Sequence, residues 1–83
     1  MTRNVKFRVL RKILEDRGAK FNPRGGNLVF TLDRHSAVIL PRYRDNQNVR
    51  PAHVAAARRS LAASGLLEPD EFDREIQESP SIS

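Results

Sequence analysis

The first helical pattern runs from residue 4 to residue 17. Apolar residues recur there at intervals of three and four, as on one face of a helix: Phe7, Leu10, Ile13 and Leu14. Asn4 is a residue type that caps helix N-termini, and Gly18 is typical of a C-terminal cap. The sequence therefore predicts a first helix over residues 4–17.

Three short strand patterns follow the first helix. Residues 19–21 can form a strand that turns at Asn22-Pro23-Arg24-Gly25-Gly26, where proline and glycine favour the turn. Residues 27–32 alternate between apolar and smaller or polar side chains, and residues 37–40 are apolar and rich in β-branched side chains. With a polar hairpin over residues 33–36, this pattern predicts an antiparallel meander of three strands.

The second half of the chain predicts a polar loop and two helices. Residues 41–50 show no periodicity, so we expect a loop there. Pro51 suits the first turn of a helix over residues 51–64, which Gly65 ends. Residues 68–83 form an acidic tail, in which Phe72 and Ile76 allow one short helix and the last five residues are expected to be disordered.

These elements predict an α+β fold of order α-β-β-β-α, with both helices on one face of a three-stranded antiparallel sheet and a short acidic C-terminal helix or tail. We expect one domain over residues 1–67 and a partly disordered acidic tail over 68–83. The side chains expected under the helices are Leu28, Phe30, Leu32, Val38 and Leu40. The opposite face would show Val29, Thr31, Ala37 and Ile39 and is a candidate surface for a partner or a homodimer, or else a harmless exposed patch.

The residue composition argues against metal sites and membrane insertion. The chain has no Cys, and its two His, His35 and His53, lack the spacing of a local metal pair. We therefore expect no metal and no cofactor. No apolar run approaches the roughly 20 residues of a membrane span, so a cytoplasmic protein with no membrane partner is expected.

Charge is distributed unevenly along the chain, whose net charge is +5. Residues 1–67 hold 14 basic and 4 acidic side chains, whereas residues 68–83 hold one basic and six acidic ones. A body this basic is typical of a nucleic-acid binder, and a merely well-solvated surface is the alternative.

We expect RNA phosphates to be contacted by basic side chains and by the Gly25-Gly26 amides. Tyr43 would stack on an unpaired base or pack on the sheet edge. The basic candidates are Lys20, Arg24, Arg42, Arg44, Arg50, Arg58 and Arg59.

The arrangement of these elements resembles the HicA family of bacterial toxins, small mRNA interferases with the fold of a double-stranded RNA-binding domain. The resemblance covers about residues 5–67. It rests on a helix ending at Gly18, a Gly25-Gly26 pair leading into a strand with Phe30, the strand end Val38-Ile39-Leu40-Pro41, and a basic helix closing at Gly65. It implies RNA binding, ribonuclease activity and an acidic antitoxin partner of HicB type.

The catalytic position implied by this resemblance is occupied by Asn27. In the family a glycine loop leads into a histidine, whereas this chain has Gly25-Gly26-Asn27, and Arg42 stands where a second histidine often follows the proline. Asparagine cannot exchange a proton near neutral pH, as imidazole does with its usual pKa of about 6.5. We therefore expect impaired or absent cleavage, whether the replacement is natural or deliberate. His35 and His53 are possible substitutes, or simply exposed histidines.

A function of a different class stays open. In this alternative the chain is a non-enzymatic interaction module whose basic body is regulated by its acidic tail. The acidic residues would compete with RNA phosphates for Arg58 and Arg59. A minor-groove DNA binder ranks last, because no helix-turn-helix spacing is present.

Overall fold

The computed structural model describes residues 5–78 and shows an α+β fold. Its elements in chain order are β1 (Val5–Lys6), α1 (Phe7–Asp16), β2 (Lys20–Arg24), β3 (Asn27–Thr31), β4 (Ala37–Pro41), β5 (Asn48–Val49), α2 (Pro51–Ala63) and α3 (Pro69–Glu78). The predicted order of helix, three-stranded meander and helix is confirmed.

The main sheet has the antiparallel order β2-β3-β4. Lys20 pairs with Thr31 and Arg24 with Asn27, so the turn between β2 and β3 contains only Gly25 and Gly26. The prediction that β2 ends at Phe21 is wrong, because the strand continues through Pro23. Proline is tolerated there because β2 is an edge strand and the amide that proline lacks would face away from β3.

Both predicted helices cover one face of this sheet. Four of the five side chains expected in the core are buried, and Leu32 is half-buried at its edge. Phe30, on the central strand, is fully buried and meets Phe7 of α1 edge-on, with ring centroids 6.2 Å apart. Ala57 and Leu61 bring α2 into the same core.

A second, two-stranded sheet includes residues that were expected to begin the first helix. Val5–Lys6 pairs with Asn48–Val49, and Lys6 has extended backbone angles, so α1 begins at Phe7. The amides of Phe7 and Arg8 donate to the carbonyls of Gln47 and Asp45, which satisfies two donors that a helix start leaves open. Asn4, the expected cap, lies outside the described residues.

Residues 41–50 are therefore not an unbroken loop, and Val49 is buried in the core. The second helix matches the prediction closely, since Pro51 occupies its first turn and it ends at Ala63. Gly65, with φ of +75°, follows it in the left-handed conformation that favours glycine.

The acidic helix α3 is part of the domain. Phe72 is buried in the common core and Ile76 packs against that core, so no structural boundary separates residues 67 and 68. Arg17 pairs with Glu75, and Arg58 pairs with Asp73, which tie α3 to α1 and α2. The predicted helix in the tail is confirmed, and it packs on the body. The residues expected to be disordered, 79–83, lie outside the described part.

No helix within residues 5–78 is long and apolar enough to cross a membrane. Within the same range no three His, Cys, Asp or Glu side chains gather as a metal ion would require.

We predict that Phe72→Ala destabilises the domain by about 3–5 kcal/mol, because it removes a buried aromatic ring. Leu66→Ala is the matched control, since Leu66 lies just before α3 but is 37% exposed, and its cost should stay below about 1 kcal/mol. Urea unfolding followed by circular dichroism measures both changes. Equal losses in the two variants would contradict the placement of α3 in the core.

Candidate nucleic-acid interface

One face of the sheet is not covered by any helix of the described chain. We call this surface the outer face. Strand alternation places on it Lys20, Asn22, Arg24, Asn27, Val29, Thr31, Ala37, Ile39 and Pro41. All of these are exposed except Val29, which is half-buried. The outer face therefore combines two cations and two amides with an apolar centre, and it carries no carboxylate.

The two cations lie at opposite ends of β2. Lys20 and Arg24 are four residues apart, which corresponds to about 13 Å along a strand. Arg24 is the direct cross-strand neighbour of Asn27. The predicted catalytic position and one predicted phosphate contact are thus adjacent on the outer face.

The Gly25-Gly26 turn closes this end of the sheet. Gly25 has φ of +57°, whereas Gly26 is not in the positive region, as expected for a type II′ hairpin turn. A Cβ atom at either glycine would have no heavy atom within 4 Å. Gly25 is therefore required by its backbone angle, whereas neither packing nor backbone conformation requires a glycine at position 26.

Arg42 holds the turn in place. Its Nε and Nη2 atoms donate to the carbonyl oxygen of Gly25 at 3.0 and 2.7 Å. The hairpin turn is thereby tied to the residue that follows β4. Arg42 was predicted from sequence as an RNA contact; the structure adds a positioning role that its sequence separation of 17 residues did not indicate.

Tyr43 lies in the helix layer and its ring is packed. It stacks on Phe7 with centroids 5.8 Å apart, and its hydroxyl lies 2.6 Å from Nδ1 of His53. The same hydroxyl accepts the amide of Arg50 at 3.1 Å. The ring is therefore packed, but against the helices and not on the sheet edge as the alternative to base stacking expects, and the stacking role stays a prediction.

Neither histidine takes the place of a histidine at position 27. His53 belongs to α2, on the opposite side of the sheet from the outer face. His35 lies in the β3–β4 hairpin, beyond the end of β3 opposite to Asn27, where its amide donates to Asp33. The Tyr43–His53 contact had no sequence signal, because it joins a loop to a helix through side chains alone.

The remaining predicted RNA contacts are dispersed. The amide of Arg44 donates to the side chain of Gln47, and these two residues line an open depression with Asn46. Arg58 is engaged by both carboxylate oxygens of Asp73, each at 3.0 Å. Arg59 is exposed on α2. The structure thus brings together Arg24, Asn27, the two glycines and Arg42 at one end of the sheet, places Lys20 at the other end of the same face, and leaves Arg58 and Arg59 on the helix layer.

Comparison of the chain with protein-family models, with curated proteins and with solved structures finds no match.

We predict opposite effects for alanine at the two positions of the turn. Gly25→Ala should destabilise the protein by about 1–2 kcal/mol, because alanine must adopt a left-handed backbone conformation. Gly26→Ala should be neutral or stabilise it by up to about 1 kcal/mol, because it restricts the unfolded chain without a clash. Urea unfolding of the two variants measures the difference. A destabilisation at position 26 as large as that at position 25 would contradict the turn geometry.

Proposed function

We propose that this chain is an RNA-binding protein of the HicA-like toxin type, which binds RNA through the outer face and the Gly25-Gly26 turn. The observation that carries the proposal is the outer face itself. No helix within residues 5–78 covers it, it presents Lys20 and Arg24 without any carboxylate, and it ends at a glycine turn that a backbone can approach closely. The resemblance in the order of elements and motifs supports the same assignment.

Binding of this kind needs phosphate contacts and shape rather than base readout. Lys20 would act as a point charge and Arg24 as a planar donor to phosphate oxygens. Both glycines of the turn are exposed, and no heavy atom lies within 4 Å of a Cβ position at either, which leaves room for a phosphate beside the turn. Arg42 would keep the turn in shape while RNA is bound.

Cleavage is a separate matter from binding at this site. In the RNA-cleaving mechanism that the resemblance implies, a base takes the proton of a ribose 2′-hydroxyl, and the oxygen then attacks the adjacent phosphorus. The bond from phosphorus to the 5′-oxygen of the next nucleotide breaks, that oxygen leaves and takes up a proton, and a 2′,3′-cyclic phosphate is formed. Asn27 can position the hydroxyl by hydrogen bonds but cannot take its proton, so general-base assistance, typically worth 10²–10⁴-fold, is lost. We infer an RNA-binding protein whose ribonuclease activity is impaired as the sequence stands.

Two further elements of the proposal rest on the resemblance alone. An acidic antitoxin of HicB type would be the protein partner, and it would approach a basic surface by charge complementarity. An mRNA target would place the protein in the cytoplasm.

One observation favours the alternative of an interaction module regulated by its acidic segment. Asp73 engages Arg58, a predicted RNA contact, with both carboxylate oxygens. In this alternative, Asp73 of α3 pairs with a cation that RNA phosphates would otherwise contact. Deleting residues 68–83 is not a clean test of it, because the deletion also removes Phe72 from the core.

We predict that replacing Lys20 and Arg24 by glutamine lowers RNA affinity, because two phosphate contacts are lost. The slope of log K against log[salt] should become shallower by about 1.4–1.8. The matched control removes two cations from the helix layer with Lys12→Gln and Arg59→Gln. Fluorescence anisotropy with a labelled RNA at several salt concentrations measures both effects. A larger loss in the control would place RNA on the helices, and no salt-dependent RNA binding by the unmodified protein would favour the interaction module.

We predict that Asn27→His gains RNA cleavage and arrests the growth of cells that express it, because it restores a proton acceptor beside Arg24. Thr31→His is the matched control, since Thr31 is exposed on the same strand and face but lies about 13 Å away. Cleavage of labelled RNA and culture growth are followed for both variants. If neither variant cleaves RNA but both still bind it, the chain would be an RNA-binding protein that shares only its fold with the HicA family.

A further inference from the structure

The sheet ends at β4, and this edge is unusually apolar. The strand consists of Ala37-Val38-Ile39-Leu40-Pro41, without a charged or hydrogen-bonding side chain, and within residues 5–78 β3 is its only neighbour in the sheet. Ile39 is 62% exposed, more than Phe21 and Leu66, the other exposed large apolar side chains of the described chain. Natural proteins commonly protect such an edge with charges, because unpaired backbone groups recruit further strands.

The hairpin before β4 shows which residues of β4 form backbone hydrogen bonds with β3. The amide of Leu32 donates to the carbonyl of Ser36, and this pair continues the β3–β4 register. Because bonded and non-bonded pairs alternate in an antiparallel ladder, Val38 and Leu40 bond to β3. The backbone groups of Ala37, Ile39 and Pro41 therefore point away from the sheet. Neither the Ala37 nor the Ile39 amide donates to another backbone carbonyl within residues 5–78.

The edge at β2 differs from the edge at β4 in its charge and its donors. By the same alternation, Phe21 and Pro23 have their backbone groups turned outward on β2, and Pro23 has no amide proton to donate. The neighbouring side chains Lys20 and Arg24 would face like charges if a second copy paired there. The edge at β4 brings no charge from its own strand into such a contact.

We propose that β4 pairs with β4 of a second copy of this chain, antiparallel and about a twofold axis at Ile39. Each Ile39 then exchanges two backbone hydrogen bonds with Ile39 of the second copy. Each Ala37 amide donates to the Pro41 carbonyl of the other strand. Proline takes part in this bond through its carbonyl oxygen, so its lack of an amide proton does not prevent it. The outward-facing strand is thus self-complementary, as a twofold contact requires.

The charge of the chain and the size of the side chains near β4 are also compatible with a second copy at this edge. Each chain carries a net charge of +5, and a contact through five uncharged residues keeps cations out of the interface. The exposed residues of α2, which lies beneath β4, are mostly small: Pro51, Ala52, Ala55, Ala56, Arg59 and Ala63. The product is a six-stranded sheet with helices on one side, in which the two outer faces form one continuous surface.

Sedimentation equilibrium of the full chain tests this proposal at protein concentrations from about 10 µM to about 1 mM, the range in which small interfaces associate. We expect the mass to rise with concentration from 9.4 kDa towards twice that value. Added salt should strengthen the dimer, because it screens the repulsion between two positive chains. Ile39→Lys should abolish dimerisation by placing two charges at the axis. The matched control Val29→Lys, on the same face but on the central strand, should retain it.

Amide hydrogen exchange of the unmodified chain gives a second test that does not depend on a variant. The Ala37 and Ile39 amides should become protected as the protein concentration rises, whereas the Phe21 amide on the β2 edge should not. A single monomeric species at every concentration would overturn the proposal. So would concentration-independent protection, which would mean that residues of the same chain cover the edge. Loss of the dimer in Val29→Lys with retention in Ile39→Lys would instead indicate stacking of outer faces.

Discussion

The burial of Phe30 is the interaction on which the fold depends most. A three-stranded sheet is stable only when one of its faces is covered, and Phe30 lies at the centre of the covered face. Its ring meets Phe7 of α1 and lies 5.1 Å from Phe21 of the edge strand, so one side chain links the helix layer to two strands. Because α1, α2 and α3 all lie on this side, the described chain has no helix left to cover the other. No described helix covers the outer face because the apolar side chains of all three helices pack on the opposite face of the sheet.

The sequence was informative where periodicity was strong. The apolar stripe of α1, the Pro51 start of α2 and the alternation of β3 each predicted an element that the structure contains. The pairing of β1 with β5 could not be predicted, because each strand has only two residues and the partners are separated by more than 40 positions. The extension of β2 was missed because proline is a turn residue in most contexts, and only the edge position makes Pro23 acceptable.

The membership of α3 in the core was missed for a different reason. The six acidic side chains of residues 68–83, five of which belong to α3, dominate the composition of this segment and suggest a separate tail. Two apolar residues, Phe72 and Ile76, decide its placement instead, because burial of a single aromatic side chain outweighs charges that stay in solvent. The candidate site shows the same limit: the sequence identified basic residues, but only the structure shows that Arg42 holds a turn and that Asp73 occupies Arg58.

The position of α3 has an electrostatic consequence for the whole molecule. Four carboxylates with described side chains lie on this one helix, on the helix side of the sheet, whereas Lys20 and Arg24 lie on the outer face. Lys20 and Arg24 have no carboxylate beside them on the outer face, whereas the carboxylates of α3 stand among the cations of the helix layer, where Asp73 pairs with Arg58. A polyanion would therefore be repelled locally by the carboxylates of α3 and attracted by the two cations of the outer face. The acidic helix would thus disfavour first encounters on its own side even though it takes no part in the contact itself.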